Sequence, residues 1–407
     1  MPQNTENHFR FKKMKVKPVP YLPHFQLRHL LAAPSKSRVL YADVRGVVRQ
    51  HNSATGKTDI ALQFPSELRR VHISTIAAGE GLLVAGGLDG DYGITRIEPI
   101  HGGGVVYDRH HSQAFKKVHV GISNHIQVYR NRNGGGPVAS LASNDSHVRV
   151  MDLTTQKIIS DVEFSYPVNC TAVSPDGRLR VVVGDNKEAV VMAAEPERGL
   201  WNWQSPSHLK SACTPDILHT LGWHRDYGFA CAWADDGYTL ATGNQDRALN
   251  IWDIRKTSDI SGARTPIATL RTIMAGVRSL HFSPAGSGKR VLVAAEEADV
   301  INIIDAQMYR KRQAFDVFGE LGGVSFTDDG QDLFALCADP TRGGILHLER
   351  AGLISNAVDF DETADKNRPG YSNYDWPVPQ SKPNFKQRNR DMQRLLRKAA
   401  MSDMELF

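Results

Sequence analysis

The chain has 407 residues, of which 41% are hydrophobic and 23% are charged, a composition typical of a globular protein with an ample core. Its four cysteines (Cys170, Cys213, Cys231 and Cys337) form no CxxC pair, which favours reduced thiols in the cytosol or nucleus over a disulfide framework. No apolar run approaches the ~18–20 residues of a membrane span, and the polar, basic N-terminus predicts no secretory signal.

Residues 1–35 are predicted to form a basic, largely irregular N-terminal arm. Residues 1–18 and 382–407 each carry a net charge of +4 within a chain of net charge +5, so the segment between them is near −3. The arm includes Lys12, Lys13 and Lys15. Such a run could contact an acidic partner or nucleic-acid phosphates, or act as a nuclear import signal. The alternative is a solvated, disordered arm.

Turn signals of the form Pro/Asp-x-Gly divide the middle of the chain into similar units. The glycines of these turns are 60, 49 and 44 residues apart, close to the ~40–45 residues of a repeat built from four short strands. They are Gly177, Gly237, Gly286 and Gly330. A β-rich run follows each turn, so residues 36–350 are predicted to be an all-β domain of repeated sheets.

The stretch 240–255 contains the most specific motif of the chain. Asp246 lies six residues before Trp252 and four after Thr242, and His224 lies 22 residues before Asp246. The His is expected to link the Asp of a tight turn to the Thr and the Trp indole, which gives each buried polar group a partner. This structural tetrad resembles a WD40 repeat, which cannot bury its own faces alone. With the strand pairs along residues 36–350, it predicts a seven-bladed WD40-type β-propeller.

Two features of this domain are candidates for protein binding. The insertion 195–219 holds Trp201 and Trp203 two residues apart, so on an extended strand both indoles face the same way and could anchor a partner. The alternative is an outer strand packed on its own sheet. Asp253 and Arg255 end a WDxR sequence that resembles the signature of WD40 proteins docking to the cullin-4 ubiquitin ligase adaptor. The alternative for this pair is a surface ion pair of little energy.

Residues 351–407 are predicted to be a C-terminal extension with a Pro-rich linker and a short amphipathic helix. Its apolar face has the helical spacing of Met392, Leu395, Leu396 and Ala399. Its basic face carries Arg390, Arg394, Arg397 and Lys398. Because an isolated helix this short is marginal in water, we expect it to dock on the domain's own surface, a partner protein or an acidic surface such as nucleic acid or membrane.

No catalytic or metal-binding motif is predicted. HExxH, CxxC and Gly-x-Ser-x-Gly are absent from the sequence, and segment 286–290 is interpreted as a plain turn rather than a phosphate loop. The histidines from His110 to His125 offer nitrogen ligands, but no acid or thiol stands at ligand spacing, which favours a solvated loop. We therefore expect a non-enzymatic protein without cofactor or metal.

The chain as a whole resembles a group of uncharacterised WD-repeat proteins found in fungi and plants. The resemblance rests on segments 83–87, 167–169, 174–177, 183–186, 241–255, 295–299, 318–320 and 323–326. It implies a propeller and no catalytic role, and it does not extend to the insertion or the basic tails.

Together these features favour a rigid scaffold for protein–protein interaction, located in the cytoplasm, the nucleus or both. The alternative is a substrate receptor that docks to the cullin-4 adaptor through Asp253 and Arg255. Nucleic-acid binding by the tails ranks third, because aromatic residues are not regularly interleaved with the basic ones.

Overall fold

A computed structural model describes residues 7–16, 22–44, 46–65, 71–97, 114–117, 121–132, 135–194, 214–256, 264–339 and 341–352. All of them belong to one unit, Met1–Asn356. The regular elements of these segments are all strands, so the predicted all-β class is confirmed there. None of these segments provides a helix long and apolar enough to cross a membrane. The insertion's tryptophans and the predicted C-terminal helix lie outside the described residues.

The described segments contain 27 strands. In chain order they are β1 (Phe9–Val16), β2 (Leu31–Ser35), β3 (Arg38–Asp43), β4 (Val47–His51), β5 (Thr58–Gln63), β6 (Ile73–Gly79), β7 (Leu82–Gly87), β8 (Asp91–Arg96), β9 (Ala114–Lys117), β10 (Ser123–Arg130), β11 (Pro137–Ser143), β12 (His147–Asp152), β13 (Lys157–Glu163), β14 (Val168–Val173), β15 (Leu179–Gly184), β16 (Glu188–Ala193), β17 (Ile217–Gly222), β18 (Gly228–Trp233), β19 (Thr239–Asn244), β20 (Ala248–Asp253), β21 (Ala268–Arg271), β22 (Val277–Phe282), β23 (Val291–Glu296), β24 (Ala298–Asp305), β25 (Arg312–Phe326), β26 (Asp332–Cys337) and β27 (Gly344–Arg350).

These strands form antiparallel sheets of consecutive strands. Five sheets have four strands each: β2 to β5, β6 to β9, β10 to β13, β14 to β17 and β18 to β21. The remaining sheet has seven, in the order β1-β27-β26-β25-β24-β23-β22. Its long strand β25 is shared, because residues 312–316 pair with β24 whereas residues 321–326 pair with β26.

The sheets follow one another around a ring. The first strand of each sheet contacts the first strand of the next, through β2, β6, β10, β14, β18 and β22, and then β25 contacts β2 again. At this closure the Leu30 N–H donates to the Gly322 carbonyl at 2.9 Å. The core lies between neighbouring sheets: one cluster combines Val181 and Val191 of one sheet with Leu240 and Trp252 of the next.

The four predicted Gly turns are present, and their geometry explains the residue. Gly177, Gly237, Gly286 and Gly330 all have positive φ, between 63° and 75°, a conformation that glycine adopts without steric cost. In the first of these turns the Gly177 N–H donates to the Ser174 carbonyl at 2.8 Å. The turns join consecutive antiparallel strands: β14 to β15, β18 to β19, β22 to β23 and β25 to β26.

The structure differs from the predicted irregular arm at the N-terminus. Phe9–Val16 forms β1, which pairs antiparallel with β27 at the edge of the last sheet, and β2 begins at Leu31, inside the range assigned to the arm. This segment forms a strand because it has an apolar side as well as its basic residues. Phe9 is buried, and Phe11 and Met14 pack on the same core. The sheets therefore extend from residue 9 to residue 350.

Candidate functional site

The four residues of the predicted tetrad form one chain of hydrogen bonds. The Trp252 indole N–H donates to Thr242 Oγ1 at 2.9 Å, and that oxygen lies 2.8 Å from His224 Nε2. His224 Nδ1 lies 3.3 Å from both Asp246 carboxylate oxygens. An Nδ1–H that donates to Asp246 leaves Nε2 as acceptor for the Thr242 hydroxyl. Burial raises the pKa of Asp246, but hydrogen bonds from His224 and the Arg225 N–H outweigh it, so this pKa is lowered.

The tetrad fixes the connection from β17 to β18, residues 223–227. Within this connection the His224 side chain is buried, whereas Trp223 and Tyr227 are 51% and 45% exposed. The far end is held by Asn244, whose side chain donates to the Asp226 carbonyl at 2.8 Å. Two aromatic side chains are thus presented to solvent from a loop whose backbone is tied to a buried polar network.

The next connection around the ring, from β21 to β22, is fixed by a buried carboxylate. Glu296 is 0% exposed, and its two oxygens accept the N–H groups of Ile273, Met274 and Ala275 at 2.8, 2.6 and 2.7 Å. The Asn302 side chain supplies a fourth donor at 2.8 Å. The loop presents Met274, which is 40% exposed. Different residues thus hold this connection and the preceding one.

The connection that leads into β2, residues 22–30, is fixed by a buried arginine. Arg28 is 1% exposed; its guanidinium donates to the carbonyls of His24 and Leu27 at 2.9 and 3.0 Å and lies 3.4 Å from Glu320. Burial lowers the pKa of Arg28, and the charge of Glu320 opposes this shift. The loop presents Phe25, which is 69% exposed.

These three connections lie on one side of the ring. In a four-stranded antiparallel sheet the first strand begins at the end where the last strand finishes, so every link between sheets lies at the same end. We call this end the connection rim; it carries Phe25, Trp223, Tyr227 and Met274. Exposed aromatic and Met side chains on ordered backbone are the chemistry of protein-binding hot spots.

Asp253 and Arg255 lie at the opposite rim, where β20 ends. The Arg255 guanidinium makes two bonds to the Asp253 carboxylate, at 3.0 and 2.9 Å, and its carbon lies 3.3 Å from the centre of the Tyr238 ring. The hydrogen bond between the two side chains lowers the pKa of Asp253 and raises that of Arg255. Arg255 is held in one orientation although 60% of its side chain is exposed.

Comparison with known proteins identifies the architecture. No family model matches the chain. An uncharacterised protein of Schizosaccharomyces pombe is 24% identical over 234 residues, which cover 53% of this chain and 60% of that protein. The ribosome biogenesis protein YTM1 of Podospora anserina is 23% identical over 164 residues, which cover 40% of this chain and 31% of that protein. The chain thus spans less than two thirds of either relative.

Among solved structures, a chain in the crystal structure of the mitotic checkpoint complex matches this one with a TM-score of 0.62 at 16% identity. The match covers 86% of this chain and 94% of that chain. The fold is a β-propeller. At this level of identity the likeness concerns the fold of the propeller and carries no information on its partners.

The basic residues at the start of the propeller are engaged within it. Strand β1 carries the three lysines that were predicted to be contact residues of the N-terminal arm: Lys12, Lys13 and Lys15. Lys12 Nζ lies 2.6 Å from Glu349 Oε1, Lys13 Nζ donates to the Ser53 carbonyl, and Lys15 Nζ lies 3.0 Å from His51 Nδ1. The ammonium of Lys12 is the main cause that lowers the pKa of Glu349 to about 2.

The other predicted contact residues lie outside the described residues. They are Trp201, Trp203, Arg390, Arg394, Arg397 and Lys398.

Two arrangements inside the propeller were not predicted from the sequence. One is the loop-holding carboxylate of Glu296. The only sign of it in the sequence is an acidic residue directly after the apolar residues of β23. The other is a group of three side chains that could hold a metal ion. His29, His125 and Cys170 bring one imidazole nitrogen each and a sulphur to within 4.8 Å of one another. These residues are far apart in the sequence, so no ligand spacing could reveal them.

Proposed function

We propose that this chain is a seven-bladed propeller of the WD40 type that serves as a non-catalytic scaffold for protein–protein interaction. Dividing the shared strand β25 between its two pairing partners gives seven four-stranded blades, the last completed by β1. The repeated turns and the tetrad of His224, Thr242, Asp246 and Trp252 support the WD40 assignment. We place the protein in the cytoplasm or nucleus, and its likeness to a ribosome biogenesis protein supports the nucleus.

The connection rim carries this proposal. Its four exposed side chains belong to loops that buried groups hold in place: the tetrad, Glu296 and Arg28. A loop ordered before binding loses less conformational entropy when a partner docks, so more of the contact energy appears as affinity. Trp and Tyr are the residues most enriched among binding hot spots. The rim therefore favours a protein partner with an apolar patch.

The test compares the proteins recovered with tagged wild type, the Trp223→Ala/Tyr227→Ala double variant and Met308→Ala. Met308 is 60% exposed in the turn after β24, at the opposite rim, and provides the matched control. We expect the double variant to lose partners that wild type and the control retain, with an unchanged melting temperature. Equal recovery of every partner with all three proteins would contradict the assignment of binding to this rim.

The geometry of Arg255 favours one alternative, a substrate receptor of the cullin-4 ubiquitin ligase. A docking arginine benefits from a fixed orientation, which Asp253 and Tyr238 provide here. In this case Arg255→Glu abolishes recovery of the adaptor without affecting the fold. Arg130→Glu is the matched control, because Arg130 is also an exposed arginine with an acidic partner, Glu80 at 2.7 Å. Adaptor binding that survives Arg255→Glu would rule out this route.

Nucleic-acid binding through the basic ends is the third proposal, and it now depends mainly on residues 382–407. The lysines of β1 already have partners within the fold. Deleting residues 382–407 should then abolish any salt-sensitive binding to RNA or DNA, whereas binding retained after the deletion would contradict this proposal.

A further inference from the structure

The propeller brings soft and borderline metal ligands from three blades together. His29 lies two residues before β2 and forms an isolated bridge with Thr75 of β6. His125 lies on β10 and Cys170 on β14. The segments that carry them belong to three different blades; β10 and β14 are neighbours around the ring, whereas β6 lies between β2 and β10. The three side chains therefore converge because of the ring closure and not because of any local motif.

The separations within this group suit a tetrahedral ion. Tetrahedral Zn²⁺ with bonds of ~2.0–2.3 Å to nitrogen and sulphur holds its ligand atoms ~3.3–3.8 Å apart. Here the three ligand atoms lie within 4.8 Å of one another. The rings of His29 and His125 are 4.5 Å apart between centroids and inclined by 69°. Small side-chain rotations would close the remaining gap.

The sulphur of the group has a hydrogen-bond donor behind it. The Cys231 thiol donates to the Cys170 sulphur over 3.6 Å. Neutral imidazole and thiolate are the forms in which these side chains bind a metal ion, and a thiol that donates to the ligand sulphur supports the thiolate once the ion is bound.

We propose that His29, His125 and Cys170 form a Zn²⁺ site that ties three blades of the propeller together across its inner surface. Cys231 supports the site from behind, by donating to the ligand sulphur. His125 has one competing contact, with the Thr171 N–H 3.5 Å from its Nδ1, which is at the limit of hydrogen bonding and is easily replaced by a metal bond. The two histidines are partly exposed, whereas Cys170 is buried.

The test uses the full chain, purified, treated with a chelator and titrated with Zn²⁺ against a chromophoric competitor. We expect one tight site per chain and a melting temperature that rises with free Zn²⁺, because an ion bound only to the folded state stabilises it. Replacing the ion by Co²⁺ should give a tetrahedral visible spectrum and a thiolate charge-transfer band. This spectrum needs no variant and reports directly on the sulphur ligand.

Two variants then locate the site. Cys170→Ser should weaken Zn²⁺ binding by at least about 100-fold and remove the charge-transfer band. His29→Gln should weaken binding similarly while the band remains with any Co²⁺ still bound. Cys337→Ser is the matched control, because Cys337 is equally buried but lies on β26, outside the group. The proposal is overturned if wild type binds no tight Zn²⁺, or if it binds equally tightly after Cys170→Ser or His29→Gln.

Discussion

Glu296→Gln tests whether a buried carboxylate holds the connection rim. The side chain is fully buried and accepts four N–H donors, two on each oxygen. Glutamine has one oxygen, so it can keep the bonds to Met274 and Ala275 but turns an NH₂ group toward Ile273 and Asn302. Asn302 can adapt by rotating its amide, because its Oδ1 has no hydrogen-bond partner among the described residues. The Ile273 N–H then remains without an acceptor.

The magnitude follows from these losses. An orphaned buried donor costs ~1–3 kcal/mol, and two bonds that lose their charge assistance cost ~1 kcal/mol each. Relief from burying a charge offsets part of this. We therefore expect the free energy of unfolding to fall by about 3 kcal/mol.

Urea denaturation of wild type, Glu296→Gln and Glu80→Gln measures this change. Glu80 is the matched control, because its carboxylate pairs with Arg130 at the surface and should contribute less than about 1 kcal/mol. Hydrogen exchange of the amides at 273–275 reports on the loop itself, and it should accelerate only in Glu296→Gln. A loss below about 0.5 kcal/mol with these amides still protected would refute the assignment of the loop's order to this carboxylate.

Three further predictions concern stability. Trp252→Ala should lower the free energy of unfolding by ~3–5 kcal/mol through the cavity and the broken tetrad, and an unchanged melting curve would contradict the role given to the tetrad. Gly184→Ala should lower the free energy of unfolding by ~3 kcal/mol, because the new Cβ would lie 2.1 Å from the Pro167 carbonyl oxygen. Gly222→Ala is the control, because its Cβ meets only the flexible Glu188 carboxylate, at 3.4 Å. Equal melting temperatures of the two variants would argue against the clash. Burial, followed by the charge of Lys15, lowers the pKa of His51 to about 4. Between pH ~6.5 and pH 4 the unfolded chain therefore binds a proton at this histidine more readily than the folded protein does. The free energy of unfolding should be constant above pH ~6.5 and fall by about 2 kcal/mol toward pH 4, allowing for solvent screening. The denaturation midpoint should depend less on pH in His51→Gln than in wild type. An equally steep pH dependence in the variant would assign the loss of stability to other groups.

The sequence predicted what depends on local chemistry. Gly177 and its three counterparts were identifiable because a positive φ at a fixed place in a hairpin selects glycine. The tetrad was identifiable because its four members lie within 29 residues and each has a fixed donor or acceptor role. The strands between them follow from their apolar alternation.

What the sequence concealed depends on contacts between distant segments. The strand at Phe9–Val16 looked like a charged arm because its partner strand lies more than 300 residues away. The only sign of it was the apolar set of Phe9, Phe11 and Met14, whose alternation is broken by a bulge between Phe11 and Lys13. His125 looked like a loop histidine because its neighbours His29 and Cys170 come from other blades. The distances between side chains of different blades depend on how the ring closes, and the sequence alone does not contain them.

The pairing of the first strand with the last has a consequence for synthesis of the protein. Phe9–Val16 leaves the ribosome before the other described strands of the propeller, yet its partner Gly344–Arg350 is the last of them to emerge. Until then a strand with unpaired backbone groups must wait, and such a strand can pair with other nascent chains. We expect its lysines and arginine to limit such pairing during that interval, because like charges on two chains repel each other. The lysines that bond to Glu349, Ser53 and Thr58 in the folded protein would then serve the growing chain before those bonds form.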